Sequence, residues 1–261
     1  MDKNYKYTDR LNESQPNNQG CMMKIIEYYD TDNIVVEFQD KYKAIVHTSY
    51  RHFKNGNVKN PYYPSVCNIG IVGSKYPCSV NKKITKEYEA WQNIIIRCYN
   101  ETYKNKNSTY KNATCCNGWL NFEIFYEWLH SQPNFDKWKN GKRWAVDKDI
   151  LIKGNKEYNP NTCCLVPMYI NSLFTKQDCK RGNLPIGVSK HGNKFRARFN
   201  NMLSGELEIV GDYDTSEEAF QAYKFQKESY IKQVAKEEYN KGNIAKHCYE
   251  AMMKYEVEIT D

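Results

Sequence analysis

Residues 144–151, WAVDKDIL, decide how this chain is read. Trp144, Ala145, Val146, Ile150 and Leu151 make an apolar run of strand length. Set into it are two aspartates, Asp147 and Asp149, with Lys148 between them. A Gly/Asn turn follows around residues 154–160, then a short strand at Cys163–Val166 and a helical start near Met168. The segment therefore reads as strand–loop–strand–helix, with Asn171 in the first turns of the helix. Carboxylate and amide oxygens are hard ligands suited to Mg²⁺. The same residues also suit plain polar alternation on a half-buried strand and an ordinary helix-start side chain.

Upstream, MMKIIEYY (22–29), NIVVEFQ (33–39) and KAIVHTS (43–49) are β-rich runs separated by turn-type stretches. Their spacing predicts a small five-strand barrel over 20–75, closed by FKNGNVKNPYYP (53–64), after a polar, mobile segment over 1–19. The run His47–Lys59 carries Arg51, His52, Lys54 and Lys59 without an acidic residue, and reads equally as a DNA-backbone contact or a solvated loop. The period changes in KEYEAWQNIIIRCY (86–99) and WLNFEIFYEWLH (119–130), where apolar residues recur at helical spacing.

Downstream, IGVSK, KFRARFN and ELEIVGDY alternate as three strands. A long helix follows, with Thr215 and Glu218 at capping-box spacing and an apolar stripe of Ala219, Phe220, Tyr223, Tyr230, Ile231 and Val234. Alternation in KFRARFN puts Lys194, Arg196, Arg198 and Asn200 on one face and Phe195, Ala197 and Phe199 on the other. The expected fold class is α+β in three modules: a small N-terminal β-barrel, a helical and ββα core over 76–178, and a three-stranded sheet with a helix over 179–240. A tail over 241–261 follows.

The 261 residues hold 38 Lys and Arg against 31 Asp and Glu, a net +7, with 22 tyrosines and ten cysteines. The isoelectric point is near 8.7 and the mean hydropathy −0.84. No apolar run approaches the ~18–20 residues of a membrane span, so no membrane partner is expected. The N-terminus has no apolar signal core, which predicts an intracellular, thiol-reducing setting for the cysteines. The positive balance permits a nucleic-acid partner without requiring one.

GVSKHGNKFRARF (187–199) with GDYDTSEEAFQAY (211–223) resembles the AP-two/ERF DNA-binding domain. The resemblance implies a three-stranded sheet laid in the major groove of double-stranded DNA with the helix behind it. It makes Arg181, Lys190, Lys194, Arg196, Arg198 and Asn200 the expected DNA-binding residues. Arginine suits guanine edges and lysine suits phosphates. Phe195 and non-aromatic residues stand where that family has tryptophans, so its base preference does not carry over.

The middle of the chain resembles HNH-type endonucleases of phages. The shared pattern is W-x₅-R-C-Y from Trp91, C-x-x-W-x-x-F from Cys116, VDKDI at 146–150, YNPNTC at 158–163 and V-P-x-x-I-N ending at Asn171. Some such proteins also carry the AP-two/ERF-like domain, with a small barrel in front. The resemblance implies a metal-dependent DNA endonuclease of homing type, working in the cytoplasm of a phage-infected host. Asp147 and Asn171 take the Mg²⁺ (or Mn²⁺) positions. Lys148 stands where the general-base histidine belongs, and Thr162 falls near the asparagine that orients it. A lost general base costs about 10²–10⁴ in rate, and lysine, with an ordinary pKa of ~10.4, is a poor base. Asp149 or His130 is then the candidate base, and a cationic Lys148 would more naturally hold a phosphate.

Some HNH proteins also hold structural zinc, for which Cys98, Cys116 and Cys163 are the candidates, with Cys115, Cys164 or Cys179 as the fourth ligand. The absence of a C-x-x-C pair favours buried apolar cysteines instead. Two rival functions stand beside the nuclease. One is a DNA-binding regulator with an inactive ββα core. The other is a protein-binding factor that blocks a host protein through exposed tyrosines.

Overall fold

The N-terminal β-rich runs pair in chain order. In the computed structural model, which describes residues 8–174 and 183–259, β1 (Ser14–Pro16), β2 (Met22–Tyr28), β3 (Ile34–Phe38) and β4 (Ile45–Thr48) form an antiparallel sheet of order β1-β2-β3-β4. Met23, Ile25, Tyr28, Ile34, Val36 and Phe38 pack as its core. The sheet leaves β1 and β4 as edges, so the expected closed barrel is corrected to an open meander. The cause is local. Ser49 caps the His52 amide and starts a helix, α1 (Tyr50–Lys54), where barrel closure was expected, and Phe53 from that helix is fully buried in the sheet's core.

The segment 8–19 is also ordered, against the expectation for 1–19. β1 pairs β2, the Arg10 guanidinium donates to Tyr28 Oη at 2.6 Å, and the buried Asn17 side chain accepts from the Gln19 and Cys21 amides. Polar side chains here replace apolar burial as the fastening, which hydropathy does not register.

Two short hairpins follow, β5 (Pro64–Val66) with β6 (Gly70–Ile71) and β7 (Ser79–Val80) with β8 (Lys83–Ile84). Helix α2 (Lys86–Tyr99) starts on the Thr85 side chain, which accepts from the Tyr88 amide, and buries Trp91, Ile94, Ile95 and Cys98. Next come α3 (Glu101–Lys106), β9 (Thr114–Cys115) and α4 (Phe122–Ser131). Trp91 Nε1 donates to the Trp119 carbonyl at 2.7 Å, so its indole is buried with its polar atom satisfied.

The remaining elements are α5 (Phe135–Asn140), β10 (Trp144–Asp147), β11 (Glu157–Tyr158), β12 (Cys164–Pro167), α6 (Met168–Leu173), β13 (Val188–His191), β14 (Lys194–Asn200), β15 (Leu207–Tyr213), α7 (Ser216–Asn240) and α8 (Lys246–Met253). Thr215 and Glu218 form the expected capping box at the start of α7. Antiparallel β10 and β12 put Trp144 opposite Pro167 and Asp147 opposite Cys164, and α6 packs on both. The second sheet has the order β13-β14-β15, with α7 behind it. The stripe residues Ala219, Phe220, Tyr223, Tyr230, Ile231 and Val234 are all buried.

By contacts the chain groups into two units, Met1–Lys111 with Cys115–Glu127, and Asn112–Thr114 with Trp128–Asp261. Within the second, Ile150, Cys164, Val166 and Ile170 of the ββα motif belong to the same apolar cluster as Ala197, Phe199, Tyr223 and Val234 of the sheet and α7. The ββα motif and the sheet-plus-helix therefore share one core. Helix α8 closes it with the buried Cys248 and Met252. Among the described residues, no helix is long and apolar enough to cross a membrane.

Candidate active site and nucleic-acid interface

The ββα motif places Asp147 at the end of β10, where only 7 % of the residue is exposed. Its Oδ1 accepts from the backbone amides of Asp149 and Ile150, both at 2.8 Å. The side chain thus closes the turn that leaves the strand. Burial pushes the Asp147 carboxyl up, and the two amides pull it part of the way back. Asn171 lies on α6, in the same ββα motif.

Lys148 is as buried as Asp147, at 6 %. Its Nζ donates to Asp149 Oδ2 at 2.6 Å and to the Asn155 carbonyl at 2.8 Å, and lies 5.9 Å from the centre of the Tyr158 ring. The Asn155 side chain ties the loop back by donating to the carbonyls of Lys148 and Glu157. An ammonium held by a carboxylate and a carbonyl is a donor, not a proton acceptor. Asp149, the other candidate base, has one oxygen committed to that ammonium. His130, on α4, lies against the Phe135 ring at 3.9 Å between ring centres.

As a dication site the donor set fits poorly. One oxygen of Asp147 serves its own turn, and the second carboxylate, Asp149, is paired with the Lys148 ammonium. Among the described residues, no group of three or more His, Cys, Asp and Glu is placed to hold a metal ion. Of the zinc candidates, Cys98 and Cys116 belong to the first unit and Cys163 to the second. Burial pushes the Cys163 thiol up to about 12, so it is held protonated. Cys179 and Arg181 lie outside the described residues.

The second sheet shows the alternation read from KFRARFN. Ala197 and Phe199 are buried against α7, while Lys194, Arg198 and Asn200 are exposed on the opposite, outer face. Arg196 also points outward, but Asp212 across the strand pair holds it bidentately, with Nε and Nη2 each at 2.8 Å from a carboxylate oxygen. The pair raises the Arg196 guanidinium and lowers the Asp212 carboxyl from their ordinary values. Lys194 lies 3.3 Å from Asp214. Among the described residues, Arg198 has no such acidic partner.

Lys190 stands elsewhere than the sequence suggested. It is opposite Phe195 in the β13–β14 register, so it shares the inner face, with its Nζ 5.9 Å from that ring's centre. A bulge in β15 opposite Ala197 and Arg198 supplies what alternation alone missed. Arg198 is paired with Ile209 and Asn200 with Leu207, and both apolar side chains are about half exposed on the outer face, at 56 % and 49 %. Without that bulge Ile209 would have pointed into the core. Plain alternation along LEIVGDY gives no sign of it, since it groups Leu207 and Ile209 with Gly211 and Tyr213.

No family model matches the chain, and no curated protein or solved structure matches it significantly.

Proposed function

We propose that this chain is a double-stranded DNA-binding protein that uses the outer face of β13-β14-β15 as its reading surface. The observation that carries the reading is the β14 face itself. Arg198 and Asn200 project from one rigid strand beside the exposed Ile209 and Leu207, with α7 bracing the sheet from behind. Arginine and asparagine are the side chains suited to guanine and adenine edges, and apolar groups suit the thymine methyl. Arg196 and Lys194 are each paired to an acid, and a phosphate can compete with that acid for the cation.

A second reading, metal-dependent endonuclease activity, is favoured by the ββα arrangement with an acidic residue at the end of its first strand. The Lys148–Asp149 pair weighs against it, because it commits Lys148 and one oxygen of Asp149 to each other, while His130, the other candidate base, lies against the Phe135 ring. The preferred role of the ββα motif is therefore a scaffold sharing its core with the recognition sheet.

The test is binding to a random-sequence duplex pool across a range of salt, followed by selection from that pool. Affinity that falls steeply with salt, with enrichment of a defined site, supports the reading. No binding even at low salt overturns it in favour of a protein partner.

A further inference from the structure

The three-stranded sheet has an open corner. β13 covers β14 only as far as Ala197, and Arg198 N closes the pairing on the Gly187 carbonyl. Beyond it, the end of β14, the 184–190 segment, the end of α6 and the middle of α7 surround a cavity of about 770 Å³. That size lies within the usual range for small-ligand pockets, roughly 300–1,000 Å³. Its walls are partly apolar and aromatic, including Ile186, Phe199 and Tyr223.

The charged residues lining this space are Lys190, Arg198 and Lys227, and no acidic residue is among the described lining. Lys227 is the unusual one. It is only 8 % exposed, and among the described residues no acid or hydrogen-bond acceptor meets its ammonium. Its Nζ instead lies 5.6 Å from the centre of the Phe199 ring and 5.8 Å from that of Tyr230. Aromatic faces attract a cation, but they do not replace the hydration of a buried one. Burial accordingly holds the Lys227 amine down at about 8. A buried cation lining a roomy cavity, with Lys190 on the same side and no carboxylate among the described lining residues, is an incomplete arrangement that an anion would complete.

We propose that this cavity binds a nucleoside monophosphate unit, with its phosphate drawn to Lys227 and Lys190, the two cations on the inner side of the sheet, and its planar base against the Tyr223 and Phe199 side of the cavity. Two cations suit a phosphomonoester dianion better than a single negative charge. The unit can come free or as the 5′-phosphorylated end of a DNA strand, and the two sources share this chemistry. The inference goes beyond reading of duplex DNA by the outer face and does not depend on it, because a free mononucleotide needs no sheet–groove contact.

The experiment is calorimetric or NMR titration of the full chain, without duplex DNA. The probes are dAMP, deoxyadenosine, inorganic phosphate, and a short single strand with and without a 5′-phosphate. The expected result is saturable binding of dAMP, with shifts at Tyr223, Phe199 and Lys227, and binding of deoxyadenosine at least about tenfold weaker. Stronger binding of the phosphorylated strand than of dAMP points to a strand end as the source, and the reverse points to the free nucleotide. Lys227→Met keeps the length and apolar stem of the side chain, and is expected to fold and to lose dAMP binding by about tenfold or more. Lys194→Ala on the outer face is expected to leave dAMP binding unchanged. Wild-type affinity in Lys227→Met, equal binding of dAMP and deoxyadenosine, or no saturable binding of any probe overturns the proposal. Duplex binding measured on the same samples reports separately on the outer face.

Discussion

Lys148 Nζ lies 2.6 Å from Asp149 Oδ2, yet the lysine is buried and the aspartate side chain is 43 % exposed. The two halves of this pair therefore respond differently to removal. Asp149→Ala strands a buried ammonium with only the Asn155 carbonyl, whereas Lys148→Met leaves a carboxylate that water can solvate. Asp149→Ala is expected to cost about 2–4 kcal/mol and Lys148→Met nearer 1 kcal/mol. Urea unfolding of both variants checks the order, and equal losses would show that the lysine is not held as described.

Commitment of Lys148 and Asp149 to each other predicts that the purified protein leaves supercoiled plasmid intact in Mg²⁺ or Mn²⁺ while still binding DNA. Nicking by the wild type that disappears in Asp147→Ala would reinstate the endonuclease reading. Nicking unaffected by Asp147→Ala would point to a contaminant.

On the outer face of the second sheet, the arginines are not equivalent. Arg198→Ala is expected to weaken duplex binding by about 1–3 kcal/mol and to relax preference at one base pair. Arg196→Ala removes a side chain already neutralised by Asp212, so its effect is expected to be smaller. Asp212→Asn frees that arginine and is expected to raise affinity and steepen the salt dependence. Lys190→Ala, on the inner side, is expected to change little. Fluorescence anisotropy at several salt concentrations distinguishes these outcomes.

Gly187 has φ +74°, and a Cβ built there would lie 2.1 Å from the Tyr223 ring. Gly187→Ala is expected to lose about 2–4 kcal/mol, from the left-handed backbone and from pushing α7 off the sheet. Gly192 shares the positive φ, at +60°, but faces open space. Gly192→Ala should cost only about 1 kcal/mol, and thermal melts of the two variants separate steric contact from backbone strain.

Lys227 makes a pH-dependent prediction. Its ordinary value of 10.5 falls to about 8 in the folded chain through burial. At pH 7 it is charged in both states, and the folded state bears a cost on the order of 3 kcal/mol. Between the two values the unfolded chain holds more protons, so this cost shrinks as pH rises from 8 towards 10.5. Lys227→Met is therefore expected to melt higher than wild type at pH 7, with the gap narrowing at pH 9.5. Lys190 and Arg198, the other charged groups around the cavity, are the same in both proteins, and so are the neighbouring Tyr223 and Tyr230. A constant gap would show that Lys227 is solvated.

Where periodicity is local and strong, the sequence already specified the outcome. KFRARFN alternates with period two, so one face was bound to be apolar and the other basic. The stripe of α7 and the Thr215–Glu218 capping box follow from 3.6-residue spacing and from one side chain reaching one amide. The α+β class and the order of strands and helices around Asp147 were legible for the same reason. Lys227 was half legible: it lies four residues after Tyr223 and three before Tyr230, on the buried stripe, but a lysine in a run of charged residues reads as solvated.

Tertiary structure alone decided the rest, because each remaining feature depends on what faces a residue across space. Register set Lys190 on the inner face, a bulge turned Ile209 outward, and the Asn155 loop returned to bury Lys148 against Asp149. The capped start of α1 left the N-terminal sheet open where strand spacing alone suggested closure. Short-range pattern settles which way a side chain points along its own strand or helix. Whether that direction leads to water, to a core or to an opposite charge is settled by segments distant in sequence.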